Sequence, residues 1–136
     1  MSGDSQWAVQ QAIFAKLGAD AAVKALIGDP ARIYDHIPDA PTFPYVGIGE
    51  AFSDQFDTKS WDGMDQDVVL HVWSRYRGKK EAKQIMGAIH DALNKQPLTV
   101  TGHNFVLCQF TFGQVFDDPD GLSRHGVARY RVVTHE

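Results

Sequence analysis

The stretch FDDPDGLSRHGVARYRVV, Phe116–Val133, decides the fold, because it either carries a chemical site or turns the chain between two strands. Proline presets φ and glycine tolerates positive φ, so the DPDG segment favours a turn. Beyond it, Ala128, Tyr130 and Val132 alternate with outward-pointing arginines, the period of a strand with one buried face. We therefore expect two strands joined by a turn.

The same stretch fits known site motifs poorly. An EF-hand loop needs glycine at its sixth position and glutamate at its twelfth, but Gly121 comes too early and no glutamate follows. A nucleophile elbow would place glycine where His125 stands, two residues after Ser123, and would lead into a helix. GIGEAF at positions 47–52 lies inside a predicted strand, which argues against a dinucleotide site. We expect neither catalytic residues nor cofactor or metal ligands.

The rest of the chain supplies further strands. Phe105–Phe116 is a predicted strand that buries alternate positions, Val106, Cys108, Phe110 and Phe112. Tyr45–Phe56 is another, with Val46, Ile48 and Phe52 on one face and Gly47, Gly49 and Ala51 on the other. Asp67–Ser74 is apolar on both faces, which is typical of a central strand or of one whose second face meets another subunit. The proline-rich segment at positions 30–44 is expected to be an extended loop.

Helices are predicted at three places. A stripe at i, i+3, i+4 spacing marks Lys79–Lys95 as the clearest helix. Asp4 or Ser5 can cap a first helix that ends at Gly18, and a short helix follows from Asp20. The order α, α, β, β, α, β, β predicts one α+β domain over residues 1–136. Its antiparallel β-sheet has one long helix packed on a face, together with N-terminal helices.

Composition excludes several functional classes. The 136 residues are 43% hydrophobic and carry a net charge of −4, which argues against a protein that coats nucleic acid. The single cysteine, Cys108, excludes an intramolecular disulfide and fits a reducing cytoplasm. MSGDSQWAVQQ lacks the features of a signal peptide, and no apolar run approaches the roughly 20 residues that span a bilayer. We expect no membrane association.

Two neighbouring segments carry opposite charge. An acidic segment holds one lysine and five aspartates, Asp54, Asp57, Asp62, Asp65 and Asp67. A basic segment holds one glutamate and five cations, Arg75, Arg77, Lys79, Lys80 and Lys83. Lysines in a first helical turn oppose the helix dipole, so this cluster does not stabilise its own helix. The segments are either solvated loops that partly neutralise each other or two surfaces of a head-to-tail contact.

Four stretches of the chain also resemble a known protein family. They are FPYVGIGE (Phe43–Glu50), LHVWSR (Leu70–Arg75), KKEAKQIMGAIHDAL (Lys79–Leu93) and DDPDGLSRHGVARYRV (Asp117–Val132). Together, in this order, they resemble the tail terminators, or tail-completion proteins, of long-tailed bacteriophages and phage-like gene transfer agents. The resemblance extends from about Gln11 to Val133.

The resemblance implies a structural role without catalysis. Such proteins form a sixfold ring on the finished tail tube, contact the major tail tube protein and the head-side connector or stopper, and leave a channel for DNA. The implied location is the bacterial cytoplasm during assembly and then the head–tail joint of the particle. A neighbouring connector protein is the alternative, and a small DNA hydrolase or nuclease the remote one.

We assign the assembly contacts of such a ring from the charge of the residues and their position in loops. These candidate residues are Asp54, Asp57, Asp62, Asp65, Arg75, Arg77, Lys79, Lys80, Asp117, Asp118, Asp120, Arg124 and His125.

Overall fold

The computed structural model describes residues 4–136, which form three helices and one five-stranded sheet. In chain order the elements are α1 (Gln6–Ala19), α2 (Ala21–Ile27), β1 (Ile33–Tyr34), β2 (Tyr45–Gln55), β3 (Gly63–Ser74), α3 (Lys80–Leu93), β4 (Asn104–Asp117) and β5 (Arg124–His135). The predicted α+β class and the long helix on the sheet are confirmed.

The sheet has the strand order β1-β2-β3-β5-β4. Pairings among β2, β3, β5 and β4 are antiparallel, but β1 runs parallel to β2 through Ile33–Val46 and Tyr34–Gly47. The sheet is therefore mixed rather than antiparallel throughout. The sequence did not indicate β1 because a two-residue strand shows no periodicity, and the prolines around it suggested only a loop.

The hydrophobic core lies between the helices and one face of the sheet. α1 buries Val9, Ala12, Ile13 and Leu17, as predicted, against the same cluster that contains the α3 stripe and the inward side chains of β3 and β5. Fully burying one such aliphatic side chain contributes about 1.5–3 kcal/mol. The opposite face of the sheet carries no helix among the described elements, and we call it the open face.

A bulge in β2 changes which side chains reach the core. The pairing register shifts between Ile48 and Ala51, so Gly49 and Glu50 together oppose one residue of β3. One extra residue reverses the alternation beyond it. As a result Phe52 is exposed on the open face, whereas we predicted it on the same face as Val46.

Two bulges in β4 have the same effect. The register shifts between Phe105 and Leu107 and again between Phe110 and Phe112. Cys108 stays buried and Phe110 packs edge-on against Tyr130, as predicted. The predicted burial of Val106 and Phe112 is wrong, because the bulges leave both side chains exposed.

Candidate assembly surface

The turn between β4 and β5 is built around two aspartates. Asp120 accepts hydrogen bonds from the backbone N–H groups of Leu122 and Ser123, each at 2.8 Å, and from Ser123 Oγ at 2.8 Å. These three donors lower the pKa of Asp120 to about 2. Asp118 accepts from the backbone N–H of Asp120 at 3.1 Å. The predicted turn is confirmed, and its carboxylates serve the turn itself.

The basic turn at residues 75–80 lies directly beside this acidic turn. Lys79 Nζ is 3.5 Å from Asp117 Oδ1, and Arg124 Nε is 3.2 Å from the same oxygen. The Arg124 contact is an ion pair with poor hydrogen-bond alignment, since its Nε meets no hydrogen-bond geometry. Arg75 Nε donates to Ser123 Oγ at 3.3 Å. We call this side of the molecule the mixed-charge end.

The hairpin between β2 and β3 forms a separate acidic end. Asp57 accepts from the Gly63 backbone N–H at 3.1 Å and so closes the hairpin. A hydrogen bond with Glu136 and the nearby charge of Asp57 raise the pKa of Asp62. β3 connects the two ends over 12 residues, which corresponds to roughly 36 Å at about 3.3 Å per residue. The acidic end therefore cannot neutralise the basic turn of its own chain.

Asp65 belongs to neither end. It lies inside β3, where Arg131 Nε and Nη2 donate to its carboxylate at 2.9 and 2.8 Å. This bidentate pair raises the pKa of Arg131 through the hydrogen bonds to Asp65. It also offsets the repulsion expected from Asp54, which lies directly opposite Asp65 on β2. Asp65 thus links β3 to β5.

The thirteen candidate residues therefore divide into three groups. The mixed-charge end gathers nine of them, Arg75, Arg77, Lys79, Lys80, Asp117, Asp118, Asp120, Arg124 and His125. The acidic end gathers Asp54, Asp57 and Asp62, and Asp65 stands apart with Arg131.

Sequence reasoning missed a row of aromatic rings across the open face. Tyr45, Trp73, His125 and Phe116 occupy paired positions on β2, β3, β5 and β4. The His125 ring stacks on Trp73 with centroids 3.9 Å apart and lies 4.9 Å from Phe116. The apolar second face predicted for β3 was the signal that could have located this row.

Two histidines are joined within this surface. His71 Nδ1 lies 2.8 Å from His125 Nε2, and His71 Nε2 lies 3.2 Å from Glu50 Oε1. Burial, and next the neighbouring His71, lower the pKa of His125, while Asp118 acts in the opposite direction. The His71 ring also fills the space above Gly49, where a Cβ would come within 2.6 Å of it. The small residues predicted along β2 thus admit this close approach.

Exposed apolar side chains concentrate at the two edges of the sheet. Trp7 and Phe14 on α1 are 63% and 49% exposed beside the β2 edge, where they line a groove with Ile48 and Asp35. Val106 and Phe112 on β4 are 42% and 44% exposed at the other edge. The sequence carried a signal for α1, because the large apolar residues Trp7 and Phe14 fall outside its predicted core stripe.

Potential metal-ligating side chains form no metal-binding cluster in the part of the chain that the structure describes. Within residues 4–136, His, Cys, Asp and Glu side chains nowhere converge in the threes that could hold a metal ion. Burial raises the pKa of the Cys108 thiol to about 12, which keeps it protonated and unreactive. None of the described helices combines the length and apolar character needed to cross a membrane.

Comparison with known proteins agrees with this architecture. A chain in the virion of a native gene transfer agent particle superposes with a TM-score of 0.89 and 26% identity, over 99% of this chain and all of that one. The solved gp17 protein of bacteriophage SPP1 gives a TM-score of 0.60 and 28% identity, over 96% and 95% of the two chains.

Sequence comparison points the same way. The tail completion protein gp17 of Bacillus phage SPP1 is 36% identical over 91 residues, 67% of each chain. The family model described as "Tail completion protein gp17" matches residues 11–135. This chain therefore belongs to the tail completion protein gp17 family.

Proposed function

We propose that this protein is the tail terminator of a phage or phage-like particle: a ring, sixfold by family resemblance, that ends the tail tube and joins it to the head-side connector. As a member of the tail completion family, the chain is a structural protein of tail assembly. In the proposed role it catalyses no reaction, and DNA passes through the ring without being a specific ligand. It assembles in the bacterial cytoplasm and remains at the head–tail joint.

One observation carries the proposal. The chain matches a component of a gene transfer agent virion over essentially its whole length and with near-identical topology. A likeness confined to the core would support only the fold, since folds host many functions. Here the coverage of both chains is complete to within 1%, so it includes the loops at both ends of the sheet.

The two ends of β3 suit a subunit placed between two different partners. The acidic end and the mixed-charge end lie roughly 36 Å apart, so they can face opposite directions along the tail axis. At the mixed-charge end, Arg75, Lys79 and Arg124 already have partners within the chain. Arg77 and Lys80 are exposed, and no carboxylate of residues 4–136 lies within 4 Å of either. These two cations are the ones available to an assembly partner.

The deciding experiment is negative-stain microscopy of particles produced without this protein. We expect overlong or ragged tails that lack heads. Tails of normal length that fail to join heads would instead assign the protein to the connector side of the joint. Complete, infectious or transducing particles would refute both structural roles.

A charge variant tests the docking end. Arg77→Ser with Lys80→Ser should reduce joined particles at least tenfold in physiological salt, while the thermal unfolding midpoint stays within about 2 °C because neither side chain supports the fold. Lys24→Ser with Lys95→Ser removes the same charge outside the mixed-charge end and serves as the control. Equal yields from the two variants would exclude the mixed-charge end from docking.

A further inference from the structure

We propose that α1 of one copy packs against the β4 edge of the next copy, so that one head-to-tail contact, repeated, builds the ring. The inference rests on the proposed function and names the subunit surfaces that the proposed function does not specify. The α1 patch comprises Trp7 and Phe14, with Ile48 and Asp35 in the adjoining groove. The β4 patch comprises Phe112 and Arg129.

α1 has the composition of a helix covered on both sides. Its inner face fills the core, yet Trp7 and Phe14 point outward and are 63% and 49% exposed. Lys16 is the only charged residue among the 14 of the helix. A helix on a free surface normally carries charged side chains opposite its apolar stripe. On α1 the polar side chains between Trp7 and Phe14 are the uncharged Gln10 and Gln11. The outer face is therefore expected to contact another protein surface.

β4 has the composition of an edge strand that is covered. It is 14 residues long and forms the last strand of the sheet, and its only charged residue is Asp117, at its end. Long edges without charges promote aggregation unless charges, prolines, bulges or another element protect them. Past the second bulge, the pairing of β4 is regular from Phe112 to Asp117. The loop after α3 protects part of this edge, where Lys95 N–H donates to the Cys108 carbonyl and Phe110 N–H donates to Asn94 Oδ1. Beyond Phe110 the described chain offers no such cover.

The two patches carry opposite charge. Asp35 lies in the groove beside Trp7 and Phe14. The Arg129 guanidinium lies 5.8 Å from the centre of the Phe112 ring. No oppositely charged side chain of residues 4–136 comes within 4 Å of Asp35 or Arg129. Glu50 is near enough for its charge to interact with Arg129, but it lies beyond ion-pair distance. In the proposed contact, an apolar patch whose acid makes no ion pair meets an apolar patch whose base makes none, the complementarity that sets register between partners.

The positions of the patches dictate a head-to-tail contact. The α1 patch lies at the β2 edge on the helical side, whereas Phe112 and Arg129 lie on the open face near the β4 edge. β3 and β5 separate β2 from β4. A twofold dimer could join the α1 patch to the β4 patch only if both lay on one continuous surface, and their positions at opposite edges and on opposite faces of the sheet prevent this. Heterologous contacts cover both patches on every copy once the ring closes.

Charge exchange tests the pairing. We expect Arg129→Asp or Asp35→Arg, each alone, to raise the subunit dissociation constant about tenfold or more in sedimentation velocity, and the double variant to restore association. Lys83→Asp, exposed on α3, is the control. Two single variants that associate like the unmodified protein would overturn the proposed surfaces.

Cross-linking tests the same contact in assembled particles. Since Cys108 is buried, Phe14→Cys combined with Phe112→Cys provides the only two accessible thiols. A short bismaleimide should give a ladder of trimers and higher species from the double variant, and no ladder from either single variant. No ladder in normally formed particles would overturn the surfaces while leaving the ring intact. One copy per particle, measured by quantitative mass spectrometry, would refute the ring and with it this contact.

Discussion

Replacing Ser5 by alanine should destabilise the protein through three buried polar side chains. Ser5 is the residue before α1, yet its hydroxyl makes no capping hydrogen bond. Instead Ser5 Oγ lies 2.7 Å from Thr134 Oγ1 and accepts from Gln66 Nε2 at 2.8 Å. All three residues are at most 1% exposed. This network fastens the start of α1 to β3 and β5.

The magnitude follows from what alanine leaves behind. Ser5→Ala removes two hydrogen bonds and leaves the Gln66 amide and the Thr134 hydroxyl buried without that partner. An unsatisfied buried group costs about 1–3 kcal/mol, so we expect a loss of about 2–4 kcal/mol in the free energy of unfolding. For a domain of this size that corresponds to roughly 6–14 °C in the thermal midpoint.

Urea unfolding followed by tryptophan fluorescence measures this loss directly. The exposed Ser60→Ala is the matched control and should change stability by less than about 0.5 kcal/mol. Gln66 Oε1 already lacks a partner, so adding Gln66→Met to Ser5→Ala should restore about 1 kcal/mol or more. If the free energy of unfolding of Ser5→Ala lies within about 0.5 kcal/mol of that of the original protein, the reasoning is refuted, because an unsatisfied buried polar group should cost more.

Two further predictions concern single positions in the sheet and on α3. Gly63→Ala should destabilise the protein by about 1–3 kcal/mol, because the new Cβ would lie 2.5 Å from the Phe56 carbonyl oxygen. Gly87→Ala is the control: on the exposed side of α3 its Cβ meets nothing within 4 Å, so the change should be neutral or stabilising. Thermal unfolding of both variants in one buffer checks this, and equal midpoints would contradict it. The lowered pKa of His125 means that the unfolded chain binds a proton more readily, so this residue makes stability fall as pH drops below about 6.5. Unfolding midpoints at pH 5.5 and 7.5 should therefore differ less in His125→Gln than in the original protein, and an unchanged difference would contradict this assignment.

Local periodicity accounts for the parts of the fold that the sequence predicted. The α3 stripe and the two apolar faces of β3 are properties of consecutive residues, so both elements were foreseen with ends within a few residues. The bulge at Gly49 and Glu50 was not, because an extra residue in one strand is defined by its pairing with another. That single shift moved Phe52 from the predicted face of Val46 and Ile48 to the opposite face.

The sequence identified the residues of the candidate site, but not which of them lie together in the fold. Asp65 looks like one of five aspartates in a loop, but its partner Arg131 lies 66 residues later and draws it into the sheet. Likewise, Lys79 belongs in the sequence to a basic cluster with few acids nearby, whereas in the structure it forms an ion pair with Asp117. Both contacts join segments distant in sequence, and local pattern carries no information about them. The assembly role came from family resemblance.

The strand order also governs when this subunit becomes competent to assemble. β5 is the final strand in sequence, yet it lies between β3 and β4 and pairs with both. On the ribosome, the preceding strands can form only a partial sheet, with β4 detached, until residues 124–135 emerge. The Phe112–Arg129 surface does not exist before that moment, since its two residues come from β4 and β5. A nascent chain that lacks β5 therefore cannot offer the β4 patch to a neighbour, and truncation at residue 123 would remove the middle of the sheet rather than trim its end.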